Sequence, residues 1–263
     1  MTAGSRVRRR NYGRNHAYYL TREDGSEVKL DGVTTLLSEG LAKPALVNWA
    51  ANTTAAYAVD NWEELGALPP SKRLAELKAA KQKDLDAAGR RGTEVHALAE
   101  KVLHGEEVEV PDAIAGHVES AVRFLDEWEI EPVLSETTVF NATRGYGGTF
   151  DMVVRSRRLP GRVILGDWKT TRSGIFNETA LQLSAYGNGE FYQDADGVDQ
   201  QMADLGVTDH WGVWIRADGY DVFPVDRSER TFESFLYVAT VARRARQWKE
   251  ESLVGSAMER TAA

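Results

Sequence analysis

The sequence contains no cysteine among its 263 residues. Disulfide bonds, thiolate zinc sites and cysteine-ligated iron–sulfur clusters are therefore excluded. No apolar run approaches the roughly 18 residues that a membrane-spanning helix requires. No apolar segment follows the arginines near the N-terminus, as it would in a secretory signal. These absences predict a cytoplasmic protein that does not enter a membrane.

The sequence also lacks a nucleotide-binding loop and has fewer basic than acidic residues. The pattern G-x-x-x-x-G-K-[ST] is absent, so we expect no nucleotide cofactor and no ATP-driven motor in this chain. The 32 basic and 40 acidic residues leave a net charge of -8, which argues against sequence-independent coating of nucleic acid. Basic residues are nevertheless concentrated in residues 6–14, 155–162 and 243–249. Such clusters are either phosphate-binding patches or ordinary solvated surface.

Helical periodicity dominates the first half of the chain. A hairpin turn at residues 24–25 precedes a helix that we expect to begin near Pro44. A second helix is expected from Ser71, with a break in residues 89–92. An amphipathic helix is expected over residues 111–130.

Strand patterning dominates the second half. We expect three strands, at residues 132–140, 148–156 and 161–170. A helix over residues 178–195 and a hairpin over residues 209–226 follow, and the last helix begins at Ser228. This order predicts a mixed α/β (α+β) fold, with a central mixed sheet flanked by helices. We expect an N-terminal hairpin and helical region over residues 1–87 and a core over residues 88–263, packed as one compact unit.

Two carboxylates and a lysine lie within an apolar strand pair. A turn centred on Leu159 places Asp151 opposite Asp167, where facing Cβ atoms are about 4.5–5.5 Å apart. Two ionised carboxylates at that distance repel each other unless they share a proton or a cation. Lys169 lies two residues after Asp167, on the same face of the strand. The pattern favours a site for Mg²⁺ or Mn²⁺; the alternative is a structural salt bridge at the sheet rim.

Four short motifs occur in a fixed order through residues 88–186. They are Gly92–His96 (G-x-x-x-H), Gly148–Asp151, Asp167–Lys169 and Gln182–Tyr186 (Q-x-x-x-Y). Together they resemble the signature of the PD-(D/E)XK nuclease superfamily, in particular its RecB-like exonuclease branch, which includes phage and CRISPR-associated exonucleases. This chain departs from the pattern in lacking the iron–sulfur cysteines of several relatives, and in carrying Phe150 where the superfamily has proline.

The resemblance implies a restriction-endonuclease-like core and a role for each matched residue. Asp151 bridges metal ions, Asp167 binds one of them together with the backbone carbonyl of Trp168, and Lys169 handles the attacking water. His96 supplies a nitrogen ligand, and Glu136, in the preceding strand, supports a second metal.

The same resemblance implies residues that line the site or contact DNA. Gln182 and Tyr186, four apart on one helical face, line the site and either contact DNA or brace Lys169. Arg90 and Arg91 are candidate phosphate contacts at an expected helix start, although they can equally be exposed side chains. Thr170 is a candidate phosphate contact, although its strand propensity also explains it.

The function implied is that of a metal-dependent DNA exonuclease in recombination, repair or phage DNA processing, using one or two Mg²⁺ or Mn²⁺ ions. In-line attack of water on the phosphate leaves a 5′-phosphate and a 3′-hydroxyl. DNA is the expected partner, with a recombinase or single-strand annealing protein as a further candidate. A structure-selective or site-specific endonuclease and a non-catalytic DNA-binding module remain as alternatives. Polarity, strand preference and oligomeric state are not marked in the sequence.

Overall fold

The computed structural model describes residues 6–13 and 15–258, in which ten strands form one mixed sheet flanked by helices. The predicted mixed α/β class and central mixed sheet are confirmed. The described chain begins with three antiparallel strands, β1 (Val7–Tyr12), β2 (Asn15–Thr21) and β3 (Glu27–Gly32). Of these, β1 was not predicted, because five of its six residues are exposed and no apolar alternation marks it.

Helices occupy the next part of the chain. They are α1 (Val33–Gly40), α2 (Pro44–Asp60), α3 (Trp62–Ala67), α4 (Pro70–Leu103) and α5 (Ala115–Glu127). The predicted break at residues 89–92 is wrong, because α4 is continuous over 34 residues. The helix also runs through residues 87 and 88, between which we expected the N-terminal region to meet the core. A glycine costs only about 1 kcal/mol in a helix interior. Gly92 also lets α4 approach Thr170, since a Cβ at Gly92 would lie 3.1 Å from the Thr170 Oγ1 atom.

The second half of the chain supplies most of the sheet. Its elements are β4 (Ile130–Asn141), β5 (Tyr146–Ser156), β6 (Ile164–Lys169), α6 (Asn177–Gly187), β7 (Phe191–Gln193), β8 (Asp199–Gln201), β9 (Asp209–Arg216), β10 (Gly219–Val225) and α7 (Glu229–Glu250). The helix predicted to reach residue 195 ends at Gly187. The backbone at Gly189 then packs tightly on β4, where a Cβ would lie 2.3 Å from the Val139 Cγ2 atom.

The sheet forks along one edge of β5. Strand β4 pairs with the other edge over nearly the whole of β5, so β3 and β6 must share the remaining edge. Strand β3 pairs in parallel with Tyr146 and Gly147, whereas β6 pairs antiparallel with residues 152–154. Residues 148–151 lie between these two pairings. Asp151 is therefore at the fork.

Apolar clusters on the two faces of the sheet hold the helices in place. Ile164 and Leu165 are adjacent in β6 and belong to different clusters, as expected for side chains that alternate across a strand. The Leu165 cluster includes residues of α1, α6 and α7. The Ile164 cluster includes residues of α4 and α5. As a result, α4 and α6 flank the fork from opposite faces.

Among the helices that the structure describes, none has the length and apolar character to cross a membrane.

Candidate metal centre

A cleft of about 620 Å³ opens at the fork between β3 and β6. Its polar lining comes from seven elements: β1, β2, α1, α4, β4, β5 and α6. These residues include Arg9, His16, Tyr18, Thr93, His96, Glu100, Glu136, Thr149, Asp151 and Gln182. The cleft therefore exists only once α4, α6 and the N-terminal strands have packed around β5.

Three of the lining residues form a set of candidate metal ligands. His96, Glu136 and Asp151 each present one ligand atom, and these three atoms lie within 4.8 Å of one another. The His96 Nδ1 atom is 3.6 Å from the Asp151 Oδ2 atom. Because the ligands come from α4, β4 and β5, the set is assembled entirely by tertiary packing.

The backbone at Glu136 is irregular where β4 passes Asp151. Pairs on either side, Thr137 with Phe150 and Ser135 with Met152, place Glu136 opposite Asp151. Glu136 has a φ of 41°, a left-handed conformation that is unfavourable for a residue with a side chain. Such strain is concentrated at functional sites, where surrounding structure maintains it. Here it brings the Glu136 carboxylate to the metal-ligand set.

Asp151 and Asp167 have the register that the sequence predicts. Strands β5 and β6 pair Met152 with Gly166, and one further step along the ladder sets Asp151 opposite Asp167. The Trp168 backbone N–H donates to the Asp151 Oδ2 atom over 2.7 Å. The Trp168 indole is buried and packs edge-on against Phe124, so the residue turns its backbone toward Asp151. Whether its carbonyl binds a metal stays a prediction.

Asp167 lies beside Lys169 rather than within the metal-ligand set. The Lys169 Nζ atom is 2.5 Å from the Asp167 Oδ2 atom, and Asp167 is only 2% exposed. The salt bridge considered as an alternative from the sequence is therefore present. Asp151 nevertheless remains with His96 and Glu136, so a metal site at these residues stays a prediction beside the observed salt bridge. Asp167 as a metal ligand stays a prediction, one that requires its ion pair to loosen.

Gln182 braces both members of this ion pair. Its Oε1 atom accepts from the Lys169 Nζ atom over 3.2 Å, and its Nε2 atom donates to the Asp167 Oδ1 atom over 3.0 Å. The same Nε2 atom lies 3.2 Å from the Tyr186 hydroxyl oxygen. The buried Tyr186 ring covers Gly148, where a Cβ would lie 2.4 Å from the ring. The absence of a side chain at Gly148 thus leaves space for the Tyr186 ring.

Burial, followed by charge crowding, raises the pKa values of the two acidic candidate ligands. Burial in the cleft, reinforced by the negative charges of Asp151 and Glu100, raises the pKa of Glu136 to about 7. Glu136 is exposed as a residue, but its carboxylate lies in the recess where protein displaces part of its water. Burial and the nearby Asp167 carboxylate also raise the pKa of Asp151. A divalent cation between these carboxylates would remove this repulsion.

Lys169 is held in its charged form. Burial alone favours the neutral amine, but the Asp167 and Asp151 carboxylates outweigh burial and raise the Lys169 pKa above its usual value. A lysine in this state can donate hydrogen bonds and stabilise negative charge. It is poorly suited to accept a proton from water near neutral pH.

The predicted DNA contacts separate in the structure. Arg91 and Thr170 line a neighbouring cavity of about 290 Å³, whereas Arg90 lines neither this cavity nor the cleft. Their contacts with DNA stay predictions.

Several cleft residues were missed from the sequence. Arg9, His16 and Tyr18 reach it because β3 joins β5, a long-range pairing that no local pattern indicates. Glu100 also lines the cleft, one helical turn after His96. That four-residue spacing on α4 is a signal that could have identified it.

No protein-family model matches this sequence, and the comparison with curated proteins finds no match. One similar chain among solved structures is that of the crystal structure of SSO0001. It is 14% identical, with 81% of this chain and 75% of that chain covered. The TM-score of 0.35 is too low for this likeness to carry an argument about fold or function.

The site is therefore interpreted from its own geometry. Two carboxylates and an imidazole converge on one point, next to a charged lysine whose position is maintained by an ion pair and an amide. The donor set suits a hard or borderline divalent cation such as Mg²⁺ or Mn²⁺. The arrangement can bind a cation and stabilise an anionic reacting group beside it.

Proposed function

We propose that this protein is a metal-dependent deoxyribonuclease of the PD-(D/E)XK type. The observation that carries the proposal is the convergence of His96, Glu136 and Asp151 in one cleft, whose lining residue Gln182 accepts a hydrogen bond from the charged Lys169. Phosphodiester hydrolysis needs both a cation for the phosphate and a positioned donor for the charge that develops. The narrower assignment, an exonuclease, is supported by the order of the four motifs alone.

The metal ligands proposed from this geometry are His96, Glu136 and Asp151. A bound Mg²⁺ or Mn²⁺ ion supplies Lewis-acid polarisation of the phosphate and lowers the pKa of water. Asp151 is oriented for this role by the Trp168 N–H. The imidazole of His96 is a more suitable ligand for Mn²⁺ than for Mg²⁺, which prefers oxygen ligands throughout.

Lys169 acts in this proposal as a donor to the water or to a non-bridging phosphate oxygen. Its raised pKa keeps the amine protonated, so it stabilises negative charge rather than removing a proton. Gln182 limits the motion of the amine through the hydrogen bond to its Oε1 atom. Fixing a donor before the reaction avoids the cost of reorganising it as charge develops.

Replacing Lys169 by methionine tests the proposal. Hydrolysis of end-labelled linear DNA is measured for both single strands and duplexes, with Mg²⁺ and with Mn²⁺. We expect the Lys169→Met variant to lower kcat by ~10²–10³-fold, as for other lost transition-state donors. Calorimetry should show that the variant still binds Mn²⁺, because the lysine is not a ligand. Lys101→Met, an exposed residue near the end of the same α4 helix that carries His96, is the control.

Two results would contradict the proposal: no DNA loss with either metal, or full activity in the Lys169→Met variant. Closed circular DNA provides a further test of the reaction mode. An exonuclease leaves the circle intact, whereas an endonuclease with the same centre opens it.

A further inference from the structure

A second cavity lies directly beside the metal cleft. It holds about 290 Å³ and is formed by α4, the start of α5 and the ends of β6 and β9. The contact of Gly92 with Thr170 separates the two cavities: Gly92 lines the cleft, and Thr170 lines the second cavity. Strands β6 and β9 run parallel, and ligands commonly bind beyond the carboxyl ends of parallel strands. We call this second cavity the basic groove.

The basic groove and the cleft present charges of opposite sign. The groove lining contains Arg91, Arg172 and Arg216 and no aspartate or glutamate. In contrast, the cleft lining contains three carboxylates and one arginine. In a protein with a net charge of -8, three arginines around one small cavity indicate an anionic ligand.

An aromatic side chain is held at the wall of the groove. The Trp214 Nε1–H donates to the Thr171 carbonyl oxygen over 2.7 Å. The Arg216 guanidinium lies 4.2 Å from the centre of the Trp214 ring. Aromatic rings and guanidinium planes are the groups on which proteins stack unpaired nucleobases. The groove therefore combines phosphate-binding and base-stacking chemistry.

Arg91 differs from the other two arginines of the groove. Arg172 pairs with Asp84, and Arg216 pairs with two aspartates on and beside the β9–β10 turn. Within the described part of the chain, Arg91 has no carboxylate within ion-pair distance. The His117 Nδ1 atom, in the same lining, also has no hydrogen-bond partner among the described residues. An unpaired guanidinium thus remains available for an anion.

We propose that the basic groove binds the sugar-phosphate backbone of the nucleic-acid strand whose scissile phosphate enters the metal cleft. Arg91 contacts a phosphate, and the Trp214–Arg216 pair contacts a neighbouring unpaired base. The strand continues from cleft to groove across the Gly92–Thr170 contact, so the groove selects a single-stranded segment next to the cleavage position. This inference rests on the proposed function, because a scissile phosphate defines where the strand begins.

The test compares Arg91 with Lys81, an exposed basic residue of the same helix α4. Binding of a short fluorescent single-stranded oligonucleotide to the full chain is measured by anisotropy in EDTA, which prevents cleavage. We expect the Arg91→Ala variant to bind about ten-fold more weakly, the effect of one lost charge-assisted hydrogen bond. Its salt-dependence slope should fall by about 0.7, as for one phosphate contact on a single strand. Lys81→Ala removes the same charge from a position that lines neither cavity and should change affinity by less than about two-fold.

Cleavage kinetics separate this inference from the proposed function. With Mg²⁺ or Mn²⁺, Arg91→Ala should raise KM for single-stranded DNA and leave kcat unchanged, and Arg91→Lys should restore part of the affinity. Equal effects of Lys81→Ala and Arg91→Ala, or no binding by the wild-type chain, would overturn the groove assignment even in an active nuclease. Arg91-dependent binding without cleavage by the wild type would instead remove the proposed function and leave strand binding intact.

Discussion

The metal cleft and the basic groove are neighbours built from the same elements, yet they present opposite charges. Arg91 and Gly92 are consecutive in α4, and each faces a different cavity. Lys169 and Thr170 also differ at the end of β6, since the Lys169 amine pairs with Asp167 whereas Thr170 lines the groove. A one-residue step in a helix or strand turns a side chain by about 100° or 180°. Two adjacent elements are therefore sufficient to place the proposed cation site beside the proposed anion site.

The largest expected effect is on the cleft alone. The Asp151→Asn variant loses a proposed metal ligand but keeps an oxygen that can accept the Trp168 N–H. We expect a loss of roughly 10³-fold or more in DNA hydrolysis, because a catalytic metal supplies several kcal/mol of charge stabilisation. Calorimetry should show that Mn²⁺ binding is lost. Oligonucleotide binding in EDTA should be unchanged if the groove works independently.

An equal loss of hydrolysis in Asp112→Asn, an exposed aspartate that does not line the cleft, would show that the effect of Asp151→Asn is not specific. Weaker oligonucleotide binding in Asp151→Asn would show that the two cavities act as one.

A smaller effect is expected from Gln182, which braces Lys169 without being a metal ligand. The Gln182→Met variant keeps the approximate volume of the side chain and removes the hydrogen bonds to Lys169, Asp167 and Tyr186. We expect kcat to fall by about 10–100-fold, the usual cost of losing an orienting contact. KM for DNA and Mn²⁺ affinity should remain as in the wild type. Gln201→Met, at an exposed position, is the matched control, and a rise in KM without a fall in kcat would contradict the bracing role.

The smallest expected effect is a pH dependence of the free energy of unfolding, caused by Glu136 in the cleft. Folding raises the pKa of Glu136 from near 4.5 to about 7, so the folded state binds more protons than the unfolded state between these values. The stability contributed by this group is complete below pH 4.5 and is lost as the pH rises to about 7. Because Glu136 is exposed as a residue, solvent screening reduces the expected loss to about 1 kcal/mol.

Urea unfolding of the metal-free protein at several pH values measures this loss. Glu136→Gln should flatten the pH dependence, and Mn²⁺ should reverse the loss in the wild type by binding the ionised carboxylate. An identical pH profile for Glu136→Gln and wild type would show that the cleft does not crowd this group. The groove lining contains no carboxylate, so Arg91→Ala should not alter the profile.

Local spacing was sufficient for several parts of the site. The two equal arms around Leu159 predicted that Asp151 and Asp167 face each other, and the register of β5 and β6 agrees. The four-residue spacing of Gln182 and Tyr186 predicted a shared helical face, and the two side chains are hydrogen-bonded. Such patterns succeed because strand and helix periods fix which side chains lie together over one or two turns.

Other features could not be predicted from local spacing. The strain at Glu136 and the entry of β1 and β2 into the cleft depend on long-range pairing of β5 with β4 and β3. The continuity of α4 through Gly92 and the end of α6 before Gly189 depend on close contacts of these glycines with distant residues. Glycine disfavours a helix. The helix nevertheless continues through Gly92, which packs close to Thr170, whereas it ends before Gly189, which packs close to Val139.

The sequence by itself determined the types of residue available for chemistry: carboxylates, one well-placed histidine and a lysine, with no thiolate. It also determined the register of the hairpin that carries Asp151 and Asp167. Only the tertiary structure decided that Asp167 is ion-paired with Lys169, while Asp151 joins His96 and Glu136. The reason is physical: periodicity sets which face a side chain occupies, whereas the partner it meets there depends on which distant elements bury their apolar surfaces against that face.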